Sequence, residues 1–334
     1  MLIMDNVDRK LLDIMQDSFP LVSEPYREIA VSLGTSAADV ISRLKKMRET
    51  GIIRRMGAIF DSKKLGYCST LCAMKVPDHR IDEVARIINE YTGVTHNYLR
   101  DHEFNVWFTI TARSRPELNG IMAEIQEKSG LHNLIDLPAT RMFKIRVRFS
   151  MADEDSGHKT RELERAEADF RADTRISEIE KRIVRELQGD IPLLQRPFRS
   201  IADRIGIEEE ELLAKLREFR DRGVIRRLSA ILRHRNLGIS ANAMGAWRVP
   251  ENRAEEVGTK MAAFSQVSHC YQRPTRPGWP YSLFTMIHGR TAKDCEEIAE
   301  SISQDTGIKD YRLLYSTREL KKVSMKYFTE KDEN

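Results

Sequence analysis

Apolar residues first recur along this chain at helical spacing. Val7, Leu11 and Ile14 share one face, as do Ile176, Ile179, Ile183 and Leu187 much later, so each stretch predicts an amphipathic helix. A second helix follows over residues 26–33, Gly34 supplies the turn, and Ser36 caps a third helix that runs towards Thr50 and stops at Gly51. Gly206 and Gly223 punctuate a matching pair of helices later in the chain, so the helix-turn-helix pattern occurs twice. The period then shortens to two. Strands are predicted at 56–60 and 70–76, a helix at 81–91, strands at 94–100 and 105–111, a helix at 116–128 and a last strand at 144–149. From the second of these strands onward the order is βαββαβ, a ferredoxin-like sandwich with one sheet face available.

The repetition extends to residue identity. Residues 24–58 recur as 196–230, Val94-Thr95-His96-Asn97-Tyr98 as Val267-Ser268-His269-Cys270-Tyr271, and Thr140-Arg141 as Thr317-Arg318. The predicted fold class is α+β, a tandem duplication of a winged-type helix-turn-helix plus a ferredoxin-like βαββαβ sandwich. Its expected division is helix-turn-helix 1–55, sandwich 56–150, charged linker 151–175, helix-turn-helix 176–227 and sandwich 228–334. This architecture resembles the Lrp/AsnC regulators, whose sandwiches pair and bind a small ligand near the interface. Two copies in one chain would supply an internal pseudo-dimer, and further self-association through the sandwiches is expected.

Composition narrows the function. With 334 residues, 41% hydrophobic and 32% charged, the chain is a globular protein of several units. Its apolar runs are short and no export signal precedes them, so a cytoplasmic protein without a membrane partner is expected. Cys68, Cys72, Cys270 and Cys295 lack zinc or disulfide spacing and read as reduced core thiols. The 55 Lys and Arg exceed the 51 Asp and Glu by too little to imply nucleic acid. The second recognition helix argues against DNA directly, since Glu208, Glu209, Glu210 and Glu211 would enter the groove and repel phosphate. Copy one is less hostile, with Arg43, Lys45, Lys46 and Arg48, but one competent helix cannot read a two-fold operator.

Candidate chemistry lies in the sandwiches. Alternation puts His96, Tyr98 and Arg100 on one strand face, and His269, Tyr271 and Arg273 on the matching face of copy two. A polar triplet kept in both copies needs a ligand, water or a partner to satisfy it. Arg54-Arg55 and Arg226-Arg227 stand at the entry to the first strand, either answering a helix dipole or clamping carboxylates. Strand register decides which arginine of each pair faces the pocket. Copy two also carries His234 between two arginines, and a proline-stiffened loop whose Trp279 offers either a rigid hairpin or a wall for a flat aromatic ligand.

The strings Gly57-Ala58-Ile59-Phe60-Asp61-Ser62, Thr95-His96-Asn97-Tyr98-Leu99-Arg100-Asp101-His102-Glu103 and Ser268-His269-Cys270-Tyr271-Gln272-Arg273-Pro274-Thr275 carry a narrower resemblance. They resemble the two subunits of the sirohaem (siroheme) decarboxylases, here in one fused chain. The resemblance implies a carboxy-lyase that removes the C12 and C18 acetate carboxyl groups of sirohaem to give 12,18-didecarboxysirohaem, a step towards d-type haem or haem. It implies sirohaem and its product as partners, with no further cofactor and no metal held by the protein. His96, His269 and His234 would be proton donors or positioning groups, with an imidazole able alternatively to ligate the substrate iron. Arg54, Arg55, Arg100, Arg226, Arg227 and Arg273 would bind carboxylates beside Tyr98, Tyr271 and Trp279. The competing reading is an Lrp/AsnC-type transcriptional regulator that responds to haem or another small ligand.

Overall fold

The computed structural model describes residues 4–17, 19–145, 176–232 and 241–329; the expected linker and His234 fall outside them. Copy one comprises α1 (Asn6–Asp17), α2 (Pro25–Leu33), α3 (Ala37–Glu49), β1 (Ile53–Phe60), β2 (Cys68–Met74), α4 (Ile81–Asn89), β3 (Val94–Arg100), β4 (Val106–Ala112), α5 (Arg115–Ser129), β5 (Ile135–Pro138) and β6 (Arg141–Ile145). Copy two comprises α6 (Glu178–Leu187), α7 (Pro197–Ile205), α8 (Glu209–Asp221), β7 (Ile225–Leu232), β8 (Ala241–Trp247), α9 (Ala254–Ala263), β9 (Val267–Gln272), β10 (Leu283–Gly289), α10 (Ala292–Thr306) and β11 (Tyr311–Lys322).

The helix-turn-helix units follow their local signals. Gly34 adopts a left-handed φ of 67° and closes α2, and the Ser36 hydroxyl accepts the Asp39 N–H at 3.1 Å to open α3. The first strand of each copy departs from expectation. β1 and β7 pair antiparallel with each other as a separate ribbon, so the expected domain boundaries at 55/56 and 227/228 fall inside these strands. Gly57 faces Ser229 at the centre of the ribbon, and matching residues flank them: Met56 pairs with Ala230, Ala58 with Leu228. Each copy also docks a loop on the other's ribbon strand, through Phe19 N–H to Leu228 carbonyl at 2.9 Å and Ile191 N–H to Met56 carbonyl at 2.8 Å. The two units and the ribbon share one core, which includes Leu11, Leu44, Ile183 and Leu216.

The sandwich proper starts at β2 and β8. Its strands form one sheet in the order β5-β2-β4-β3-β11-β8-β10-β9-β6. Two elements cross between copies. β11 pairs with β8 through Tyr311–Tyr315 and then with β3 of copy one, where Lys322 stands opposite His96. In return, β6 of copy one pairs with β9, with Ile145 opposite His269. The last strand predicted at 144–149 is therefore β6, starting three residues earlier, and the short β5 before it closes the sandwich of copy one. Only Ala139 and Thr140 separate β5 from β6, so the two end strands of the sheet are consecutive in the chain. Helices α4 and α5 cover a core containing Val84, Phe108 and Ile125, and α9 and α10 cover another containing Val257, Ile287 and Ile302. Between the copies, Trp107, Leu137, Trp279, Phe284 and Leu314 make a third.

The centre of the ribbon supplies a test of this packing. A methyl group on Gly57 would overlap the Gly189 carbonyl oxygen, a backbone atom that cannot swing aside. Gly57→Ala should therefore lower stability by roughly 1–3 kcal/mol, read from the denaturant midpoint. At the opposing position Ser229 buries a hydroxyl without a partner, so Ser229→Ala should be close to neutral. An unchanged midpoint for Gly57→Ala would mean that the ribbon and the α6 terminus do not meet as described.

Candidate active site

The two triplets lie on β3 and β9. Asn97 turns towards the helices, where its amide donates to Asn89 at 3.1 Å, and Cys270 lies buried under α9. The intervening positions thus point away from the sheets' shared interior, and the triplets point into it. His96 and Tyr98 stand opposite Thr109 and Trp107 of β4; His269 and Tyr271 stand opposite Met286 and Phe284 of β10. Within each triplet the geometry repeats closely. The His and Tyr rings are 6.2 Å apart and tilted by 33° in copy one, 6.1 Å and 30° in copy two. The Arg100 guanidinium lies 5.6 Å from the Tyr98 ring and that of Arg273 5.1 Å from the Tyr271 ring.

The two arginines reach across the pseudo-dyad. Arg100 donates Nη1 to the Leu314 carbonyl of copy two at 2.7 Å, and Arg273 donates Nη1 to the Leu137 carbonyl of copy one. Arg100 is only 6% exposed, and the Nε of each arginine is buried without an acceptor. Neither has an ion-pair partner among the described residues, and burial pulls both guanidinium groups down to about 10. Two buried positive charges held only by carbonyl dipoles form an anion-seeking centre.

Both imidazoles of the triplets are held in the neutral form. Burial pushes His96 down to about 4, with Lys322 and Arg54 acting in the same direction and Glu319 opposing them. Burial likewise pushes His269 to about 4, reinforced by His288, Arg226 and His96. Both rings are therefore neutral at pH 7 in the unliganded protein. Each also rests on a hydroxyl that sequence reasoning left without a role. Thr95 Oγ1 lies 2.9 Å from His96 Nδ1, and Ser268 Oγ lies 2.8 Å from His269 Nδ1. Simple alternation would put those hydroxyls on the opposite face. Register shifts between Val94 and His96, and between the partners of Val267 and His269, bring them alongside the rings. The Thr/Ser before each His was the available signal.

The arginine pairs at the ribbon separate by face. Arg55 donates to the carbonyls of Gln188 and Gly189 at the C-terminus of α6, and to Ala58. It answers the helix dipole of the other copy and is not placed for a ligand. Arg54 is exposed and donates to the Lys322 carbonyl at 3.3 Å. Arg226 is already held by a carboxylate, with Nη2 2.7 Å from Asp61 of copy one, while Arg227 occupies the position matching Arg55. Trp279 also moves away from its expected role. It is fully buried beside Trp107, Phe104, Tyr281 and Phe284, so it presents no surface to a flat ligand and forms part of the core between the copies. His234 lies outside the described residues. Of the sequence candidates, the structure thus gathers His96, Tyr98, Arg100, His269, Tyr271 and Arg273 in one interior, with Arg54 and Arg226 at its border. The open grooves at Arg27 and Arg196 and at Gln304 and Tyr311 gather no comparable set.

Fold and site define a class: paired helix-turn-helix units joined to ligand-binding sandwiches. The AsnC-like ligand binding domain family matches residues 64–144 and 236–321, and the siroheme decarboxylase NirDL-like HTH domain family matches residues 8–54 and 180–226. A siroheme decarboxylase of Hydrogenobacter thermophilus is 42% identical over 331 residues, 99% of this chain and 97% of that protein. The alpha subunit of the siroheme decarboxylase of Desulfovibrio desulfuricans is 48% identical over 153 residues, covering 46% of this chain and 87% of the subunit. A crystal structure of the siroheme decarboxylase NirDL with an iron-uroporphyrin III analogue superposes with a TM-score of 0.76 at 38% identity, covering 98% of this chain and 96% of that one. The chain belongs to the siroheme decarboxylase family, in the fused form that joins both subunit types.

Neutral buried histidines have a consequence for stability. An unfolded histidine, with its ordinary value of 6.5, binds protons that the folded ones at about 4 refuse, so stability falls as pH drops from 6.5 towards 4. The contribution lost is roughly 3 kcal/mol per histidine at the lower limit. A His96→Gln/His269→Gln variant should lose less stability than the parent over that interval in denaturant titrations. Identical slopes would show that the rings are not held neutral.

Proposed function

We propose that the chain removes carbon dioxide from the C12 and C18 acetate side chains of sirohaem, giving 12,18-didecarboxysirohaem, with His96 and His269 as proton donors and Arg100 and Arg273 as carboxylate-binding groups. The observation that carries this reading is the pair of buried guanidinium groups, each with an unused Nε and no acid partner among the described residues, beside a buried imidazole in both copies. Sirohaem bears eight carboxylates and can satisfy several cations at once. Arg54 and Lys322 add positive charge next to His96, while Asp61 offsets Arg226 near His269.

The chemistry uses these groups economically. The bond between the side-chain carbon and the carboxyl carbon breaks, carbon dioxide leaves, and the electron pair spreads into the macrocycle of the substrate. A proton from the imidazole then completes the methyl group. Poor solvation of the carboxylate in the buried interior beside Tyr98 and Tyr271 favours its loss as a neutral gas. The substrate's own carboxylates supply what the empty site lacks. Their negative charge raises the imidazole affinity for protons from about 4, so binding loads the donors.

The helix-turn-helix units serve the fold in this reading. Arg43, the cation of α3 nearest its N-terminus, is tied to Asp5 and Asp8 at 2.7 Å and to Asp39 at 2.8 Å, and Arg48 to Asp190 at 3.2 Å. At the start of α8, Glu209 is wholly buried against Arg196 and belongs to the packing, while Glu208, Glu210 and Glu211 stay exposed. Lys45 and Lys46 of α3 stay exposed, so the reading against DNA rests on the start of α8, where the exposed Glu208, Glu210 and Glu211 would repel phosphate.

Two measurements test the reading. Anaerobic incubation with sirohaem should yield a mass loss of two carbon dioxide molecules, and His96→Ala/His269→Ala should slow it by about 10²- to 10⁴-fold; an unimpaired double variant removes both imidazoles from the reaction. Binding of iron-uroporphyrin, which stands in for the substrate, should take up protons, so that its affinity rises as pH falls from 8 to 6. His96→Gln/His269→Gln should flatten that dependence. Equal affinity across the range in the parent protein would show that the ligand does not reach the histidines.

A further inference from the structure

The two imidazoles are not wired alike. In copy two the Ser268 hydroxyl lies 2.8 Å from His269 Nδ1 and 2.6 Å from Nε2 of His288, a half-buried residue on β10. A hydroxyl has one proton, so it donates to one ring and accepts from the other. The three groups therefore form a directional chain from the border of the sheet to its interior. In copy one the Thr95 hydroxyl lies 2.9 Å from His96 Nδ1 but 3.1 Å from the Thr109 hydroxyl, and Thr111 occupies the position of His288. That chain ends on a group that does not store a proton.

We propose that Ser268 and His288 form a relay that protonates Nδ1 of His269, so that its Nε2 can give a proton to the substrate without an imidazole anion forming, a coupling that copy one lacks. The proposal rests on His269 being a donor. When the C–C bond breaks and carbon dioxide departs, the electron pair left on the side-chain carbon takes the Nε2 proton of His269. The Ser268 O–H proton moves to Nδ1 of His269, the Nε2 proton of His288 moves to Ser268 Oγ, and a solvent proton enters at the other nitrogen of His288. After the product leaves, a solvent proton enters at Nε2 of His269 and the Nδ1 proton returns through Ser268 to His288, which gives a proton back to solvent, so the starting tautomers are restored. Each turnover consumes one proton and releases one carbon dioxide. No imidazole anion forms, although burial keeps both rings neutral in the unliganded site. The backbone supports the arrangement, because His288 N–H donates to the Gln266 carbonyl at 3.0 Å and fixes the strand where its ring meets Ser268.

The test compares Ser268→Ala, Ser268→Thr, His288→Ala, His288→Asn and His269→Ala in the full chain with sirohaem, in H2O and D2O. Ser268→Ala, His288→Ala and His288→Asn should decarboxylate about 10- to 100-fold more slowly, accumulate singly decarboxylated product and show a larger solvent isotope effect. Ser268→Thr, which keeps the hydroxyl, should retain the parent rate, and added imidazole should restore His288→Ala. Parent rates in Ser268→Ala and His288→Asn, with His269→Ala impaired, would overturn the relay and leave the donor role intact. Slow variants with an unchanged isotope effect and no rescue would also overturn it, since packing alone would then explain the loss. A parent rate in His269→Ala would instead remove the donor reading on which the relay depends.

Discussion

Arg100 and Arg273 each need a carbonyl that only the opposite copy can provide. Leu314 and Leu137 lie on the closing strands β11 and β5, and those strands continue into the segments that cross to the other sheet. A buried guanidinium stripped of its acceptor would cost several kcal/mol, so strand exchange and arginine burial support each other. Neither sandwich is complete alone. The last residues of each copy finish the other's sheet, and the core built around Trp107 and Trp279 exists only where both copies meet. Fusion in one chain keeps the two partners at fixed stoichiometry and close at hand.

This clasp is deliberately incomplete. One carbonyl dipole per arginine leaves each Nε and most of each positive charge unanswered. The surroundings make that expensive: burial is the leading cause of the depressed arginine and histidine values alike. An unliganded interior of this kind tolerates neutral imidazoles and poorly satisfied guanidinium groups. Entry of a polyanion reverses both conditions through the same field, because low effective dielectric strengthens charge interactions on the way in as well as on the way out. Stability given up in this interior is available as interaction energy for an anion that enters it.

Much of this could be read from residue order because the chain states it twice. Helical spacing, Gly34, Ser36 and the strand at 94–100 fixed the elements, and the duplicated His-x-Tyr-x-Arg placed three side chains of each copy on one face. What could not be read was pairing. Nothing local says that β1 would leave the sandwich for β7, or that β6 and β11 would cross, since a strand's sequence specifies its buried face and not its neighbour. The roles of Arg55 and Trp279 depended on those pairings: the α6 terminus that Arg55 answers and the aromatic cluster that encloses Trp279 both draw on the other copy. The hydroxyls of Thr95 and Ser268 were hidden differently, by irregularities that break the alternation used to assign faces.

Duplication also explains why the two halves need not remain equal. In a homodimer a change beside one imidazole appears beside the other, whereas a fused chain can alter one side alone. The ribbon centre pairs Gly57 with Ser229; Lys322 faces His96 where Ile145 faces His269; Thr111 stands where copy two has His288; Asp61 neutralises Arg226 while Arg54 meets only a carbonyl among the described residues. These differences all fall along the pseudo-dyad or beside the imidazoles, while the His and Tyr rings of the triplets keep their arrangement, with separations of 6.2 and 6.1 Å. Charge is thereby distributed unevenly around two nearly identical reactive units. A ligand that lacks two-fold symmetry meets different fields in its two orientations, and only halves encoded separately, within one chain or as two distinct subunits, can maintain that difference.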